Sequence, residues 1–222
     1  MIILFMTIYL VGTSHIAKES LEKVKNIIFE KNPTCVAVEL DMNRYIALKS
    51  RERGDIKLPF LEKAIFSLLR SIQESLSKET NILPGQEMLD ACETAMKVGA
   101  KVAFIDQDIN VTMRRLMQRL GFFGKLKLIS YLVIGMAGIP IKGLVMPKQM
   151  DLNKIPEEQF IEDAMAELKD AFPAIYDVLV DERNKVMAEN LRKLGKECEN
   201  IVAIIGAGHV KGVSQILSED RN

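Results

Sequence analysis

Ile201-Val202-Ala203-Ile204-Ile205, running straight into Gly206-Ala207-Gly208-His209, is the stretch whose reading decides the fold. Five apolar, mostly β-branched residues read as a buried strand. The glycines permit the turn that ends it, and an imidazole is delivered at its carboxyl edge. The same construction stands at the other end of the chain, where the apolar run 2–11 leads into Gly12-Thr13-Ser14-His15. The two histidines of the chain thus each lie three residues after a glycine. Glycine is about 7% of ordinary sequence, so two unrelated histidines would share that offset in roughly one chain in 200. The pair therefore reads as one pocket, for metal binding or acid–base work; two unrelated turn histidines are the competing reading.

Two further runs, 35–40 and 101–105, complete a set of four expected strands. Helical periodicity fills the intervals: 17–31, 42–53, 61–77, 87–98, 109–120, 122–136, 157–172 and 173–194. Strands alternating with long helical crossovers imply an α/β fold with a mainly parallel central sheet flanked by helices. The connection between the third and last strands is too long for a simple crossover. It implies a helical cap or dimerisation layer over about 109–172, within one domain spanning residues 1–222. Pro140, Pro147 and Pro156 mark a hinge in that insertion.

Composition narrows the function classes. Lys+Arg and Asp+Glu both total 30, which leaves no electrostatic footprint for nucleic acid. Cys35, Cys92 and Cys198 are scattered, with no disulfide spacing, and read as small buried or half-buried residues of a reducing, cytoplasmic compartment. The opening run lacks a basic flank and reads as a strand, not a signal peptide. The uncharged stretch 128–141 is too short to span a membrane and reads as a buried or interfacial helix, with partner docking as the functional alternative.

Carboxylates recur at the strand ends. Glu39 interrupts an apolar run, and Asp106-Gln107-Asp108 follows the third strand. In a parallel sheet these ends share one edge with His15 and His209. The bland alternatives are an ion pair of Glu39 with Arg44, and N-capping by Asp106 or Asp108. On the last long helix Ile175, Val178, Leu179, Val186, Asn190 and Leu194 form an apolar stripe. Glu182 and Arg183 fall on it, as a structural ion pair or as part of a pocket. Glu87 stands in the first turn of another helix, where the dipole favours an acid in any case. Gly206-Ala207-Gly208-His209-Val210-Lys211-Gly212 misses the dinucleotide fingerprint because its third glycine comes one position late.

Taken together, Gly12-Thr13-Ser14-His15, the 36–41 run with Arg44 and Tyr45, Gly85-Gln86-Glu87-Met88, Asp106-Gln107-Asp108, Asp181-Glu182-Arg183-Asn184 and Gly206-Ala207-Gly208-His209-Val210 resemble the TraB/PrgY pheromone-shutdown family. That family is similar to the Tiki metalloproteases and to the wider EreA/ChaN-like proteins. The resemblance implies a hydrolase dependent on a divalent metal, Mn or Co in preference to Zn, acting on peptide bonds. It implies His15, Glu39 and His209 as ligands, and Glu87, Glu182 and Arg183 as catalytic groups. Arg44, Asp106 and Asn184 become the expected substrate contacts. The alternatives are a peptide-sequestering module and an assembly protein that docks through 122–141. The expected partners are a peptide or protein substrate and a second copy of the chain. The chain departs from the family at Gln107, where Arg is usual. It also stops soon after His209, where many relatives continue into a membrane-spanning region, which suggests a soluble form or an excised domain.

Overall fold

A computed structural model describes residues 6–14, 18–50, 64–65, 67, 85–136 and 157–219. Its sheet holds β1 (Thr7–Thr13), β2 (Cys35–Val38), β3 (Lys101–Phe104) and β4 (Asn200–Gly206) in the order β1-β4-β2-β3, every pairing parallel. The α/β architecture expected from the alternating pattern is therefore present. The first and last strands are neighbours, Val11 beside Ile204 and Thr13 beside Gly206, so the two glycine-containing segments come together across one ladder.

Around the sheet lie α1 (Lys18–Lys31), α2 (Met42–Ser50), α3 (Gln86–Lys97), α4 (Ile109–Met136), α5 (Glu158–Ala171), α6 (Pro173–Tyr176), α7 (Glu182–Leu194) and α8 (Ala207–Glu219). Strand periodicity of two splits the core cleanly. Val36, Val38, Val202 and Ile204 face α1 and α3; Cys35, Ala37, Ile201, Ala203 and Ile205 face α7 and α8. A third cluster, including Leu116, Leu120, Phe172, Ile175 and Val178, joins α4 to the α5–α6 segment. The helices expected at 109–120 and 122–136 run on as α4 across a break at Gly121, whose φ of 56° and ψ of −173° suit glycine alone. No helix among the described residues is long and apolar enough to cross a membrane.

Three expectations need correction. Cys35 and Cys198 are bonded across 163 residues of sequence, their Cα atoms 6.1 Å apart, and only Cys92 is free. Chain distance hid the pair, because the parallel ladder that aligns the start of β2 with β4 cannot be seen in cysteine spacing. The second correction concerns the segment after β4, for which the sequence pattern gave no helix: it forms α8, with His209 in the first turn. Gly208 and Gly212 depress helix propensity there enough to mask the pattern.

The third concerns the 173–194 helix, which contains a π turn at Asp177–Asp181. Such a turn inserts one residue and rotates everything after it by roughly 100°. The buried face beyond it is therefore Asn184, Met187, Ala188, Leu191 and Leu194, and Val186 and Asn190 are only partly covered. Of the expected helix at 61–77 only residues 64, 65 and 67 are described, and they are helical; the strand portion 2–5 and the hinge prolines lie outside the described residues.

Candidate active site

The carboxyl edge of the sheet carries the charge. Alternation along β2 puts Cys35 and Ala37 on the α7–α8 side, and Glu39, next in phase, points the same way. Its backbone N–H still donates to Ile204 O at 3.0 Å, so the ladder holds it in place. The carboxylate is 2% exposed. Its Oε2 accepts from the Gly206 backbone N–H, at the positive N-terminal end of α8. Its Oε1 accepts from Nη2 of Arg183.

Arg183 is the hub. Its Nε and Nη2 donate to Oδ1 and Oδ2 of Asp106 at 2.9 and 2.8 Å, a two-point fork. Its Nη1 donates to Leu179 O at 3.3 Å and lies 3.1 Å from Nε2 of His209. Burial alone pulls the guanidinium's pKa down, but Glu39 and Asp106 outweigh that and raise it above its ordinary value. Arg44 closes the outer side with a 3.2 Å bond from Nη1 to Oδ2 of Asp106. His209 completes the group, Nε2 being 3.5 Å from Oε1 of Glu39 and Nδ1 2.7 Å from Oδ1 of Asn184.

Glu39, Arg44, Asp106, Arg183, Asn184 and His209 thus meet, contributed by segments as far apart as 39 and 209. Of the bland readings, the capping one holds for Asp108 and the Glu39–Arg44 pairing does not. Arg44 pairs with Asp106, not with Glu39. The capping role belongs to Asp108, whose Oδ1 accepts from the N–H groups of Asn110 and Val111. Asp41 does the same for α2 and also accepts from Ile109 N, tying the two helix starts together. Sequence reasoning named Asp41 and Gly206 but did not read their roles, a helix cap and a backbone donor to Glu39. The signal for Asp41 was present in its place directly before a helix.

Glu182 parts company with its neighbour. Because of the π turn it leaves the inward stripe and pairs with Arg115 of α4, Oε1 accepting from Nη2 at 2.6 Å. That hydrogen bond from Arg115 holds the Glu182 carboxyl below its ordinary range. Glu87 is 1% exposed, in the first turn of α3. Since α3 feeds the amino end of the parallel β3, its own N-terminus lies toward the carboxyl edge. His15 lies outside the described residues.

A groove of about 940 Å³ runs alongside, between α5, the π turn and α8. Asn184, Gly208 and Gly212 line it, and a 2.5 Å ion pair between Lys211 and Glu162 links α8 to α5 there.

A four-strand parallel sheet with a buried arginine–carboxylate–histidine cluster at its carboxyl edge defines an α/β protein with an edge site. Similarity makes the class narrower: the model of the TraB/PrgY/gumN family matches residues 6–222, and the chain belongs to that family. It is 37% identical to "Uncharacterized protein MJ1365" of Methanocaldococcus jannaschii, over 97% of this chain and 54% of that protein. It is 27% identical to the TraB domain-containing proteins of mouse and human, over 97% of this chain and 64% of each. The chain thus spans between about half and two thirds of these relatives.

Proposed function

We propose that this chain is a hydrolase acting on peptides, with the carboxyl edge as its centre. The observation that carries the proposal is Arg183 bridging two buried carboxylates and the inward nitrogen of His209, beside an open groove. Clustered buried charge is costly for a fold, and next to a cleft it is the physical mark of a working site.

For a divalent ion, the donor chemistry fits. The Nε2 of His209 and Oε1 of Glu39 lie 3.5 Å apart and would hold the ion, with the Arg183 guanidinium that now faces both atoms moving aside. Imidazole with carboxylate suits Mn, Co or Zn. Among the described residues no set of three His, Cys, Asp or Glu side chains stands ready to hold a metal. His15 would supply the third donor. When bound, the ion would contribute Lewis acidity at the scissile carbonyl.

The protein's own groups divide the remaining work. Glu87 would accept the proton from the attacking water. Arg183 would offer Nη1 to the developing oxyanion, held in aim by its fork on Asp106. Arg44 and Asp106 serve that aim and need not touch substrate. Glu182, kept ionised by Arg115, is a weak proton acceptor and has no part in this scheme. The groove would hold the peptide.

The test is incubation of a peptide library with the protein and Mn or Co, followed by mass spectrometry. New termini are expected. Intact peptides retained by the protein would overturn the proposal in favour of sequestration. Calorimetry addresses the ion separately: His15→Ala and His209→Ala should each weaken Mn binding, and unchanged binding in both would remove the metal assignment.

A further inference from the structure

The glycine that arrives one position late for a dinucleotide loop, Gly212, has a partner. A Cβ at that position would overlap Nδ2 of Asn184. Asn184 is 4% exposed, and its Oδ1 is committed to Nδ1 of His209 at 2.7 Å. The amide is therefore wedged between the ring it holds and the backbone of α8, one helical turn beyond His209 itself. Glycine at 212 weakens the helix relative to alanine. The space it opens is the compensation.

Three contacts bear on the ring's state: Arg183 at Nε2, Oε1 of Glu39 3.5 Å from the same nitrogen, and Asn184 at Nδ1. A guanidinium donates and never accepts, so Nη1 of Arg183, 3.1 Å from Nε2, requires a bare lone pair there. A neutral ring then carries its proton on Nδ1, and Asn184 must present oxygen, not nitrogen, to receive it. That choice turns Nδ2 toward Gly212, which is where it lies.

We infer that Asn184 is a positioning residue, seated by Gly212, that holds His209 as the Nδ1-protonated tautomer and so aims an unprotonated Nε2 at Nη1 of Arg183. Asn184 therefore acts through the imidazole, in addition to its place in the groove wall. The inference builds on the proposed site, since the aimed lone pair is what a metal ligand or proton acceptor requires. The tautomer itself does not depend on turnover.

Two histidines make the test clean. In chelator-treated, ¹⁵N-labelled full chain, at a pH about two units above the imidazole range, long-range ¹H–¹⁵N correlation distinguishes the tautomers directly. His15→Gln identifies the His209 signals. The expected pattern is Nδ1-protonated in wild type and in Asn184→Asp, which keeps an acceptor oxygen. It should shift toward the Nε2-protonated form in Asn184→Leu and in Gly212→Ala. An Nε2-protonated ring in wild type would overturn the inference, as would a wild-type pattern in Asn184→Leu or Gly212→Ala. If Asn184→Leu fails to fold, Gly212→Ala decides alone. Failure of the hydrolase proposal would appear elsewhere, as intact peptides alongside the expected tautomer.

Discussion

The two ends of one sheet are built from different materials. At the amino end, neutral hydrogen bonds close the ladder: Thr34 N–H to Asn200 O at 2.9 Å, Lys101 N–H to Thr34 O at 2.9 Å, and the Asn200 amide to Lys31 O at 2.9 Å. Cys35 and Cys198 add a covalent link there. The Lys101–Glu197 ion pair at that end is solvent-exposed on both sides. The carboxyl end instead buries Glu39, Asp106, Arg183 and His209 and ties them to one another. A sheet can be finished without buried charge, as its own amino end demonstrates. Charge gathered at the other end is therefore not something that closing a sheet requires, and the proposed function builds on that.

The largest expected difference comes from deleting a cation at each end. Arg183→Met leaves two buried carboxylates without their shared partner, a loss of about 3–5 kcal/mol. Thermal unfolding should register it as a drop of roughly 6–20 °C. Lys101→Met removes an exposed partner, and its melting temperature should stay at the wild-type value. Equal shifts in the two variants would erase the distinction between the ends.

Thiol chemistry sharpens the comparison with a smaller effect. Native protein at pH 8 should resist alkylation, because Cys35 and Cys198 are joined and burial pushes the Cys92 thiol up to about 11. Denaturation without reductant should release one reactive thiol per chain, and reduction three. Three thiols before reduction would remove the covalent link from the amino end.

The smallest effect concerns pH. Glu182 has its carboxyl held below the ordinary value of 4.5 by Arg115. Its stabilising contribution is complete above that value and fades as pH falls through the depressed one. Unfolding measured from pH 6 down to 3 should show wild type losing more stability than Glu182→Gln. Parallel curves would mean that the Arg115 pair does nothing for the fold.

Much of this arrangement was legible in the sequence. The four strands announce themselves as short β-branched runs, and the parallel order follows from the helices between them. Glu39 was conspicuous as an acid in an apolar run, and the two glycine–histidine spacings pointed to strand ends at one edge of the sheet, where β1 and β4 prove to be neighbours. What stayed hidden has physical causes. Nothing in the 173–194 periodicity reveals a π turn, so Glu182 and Arg183 looked like neighbours on one inward stripe. The turn sends one to Arg115 and the other to Asp106. The Cys35–Cys198 link and the Arg44–Asp106 pairing join segments that only the folded sheet brings together. The last helix was masked by Gly208 and Gly212, where an added Cβ would meet Met165 and Asn184 respectively.

The most direct test of a working carboxyl end is peptide-library cleavage with Mn by two matched charge-neutralised variants, Glu39→Gln and Glu182→Gln. The account predicts that Glu182→Gln yields the same new termini as wild type, whereas Glu39→Gln, verified as folded, yields none. Wild-type cleavage by Glu39→Gln, or its loss in Glu182→Gln alone, would contradict it.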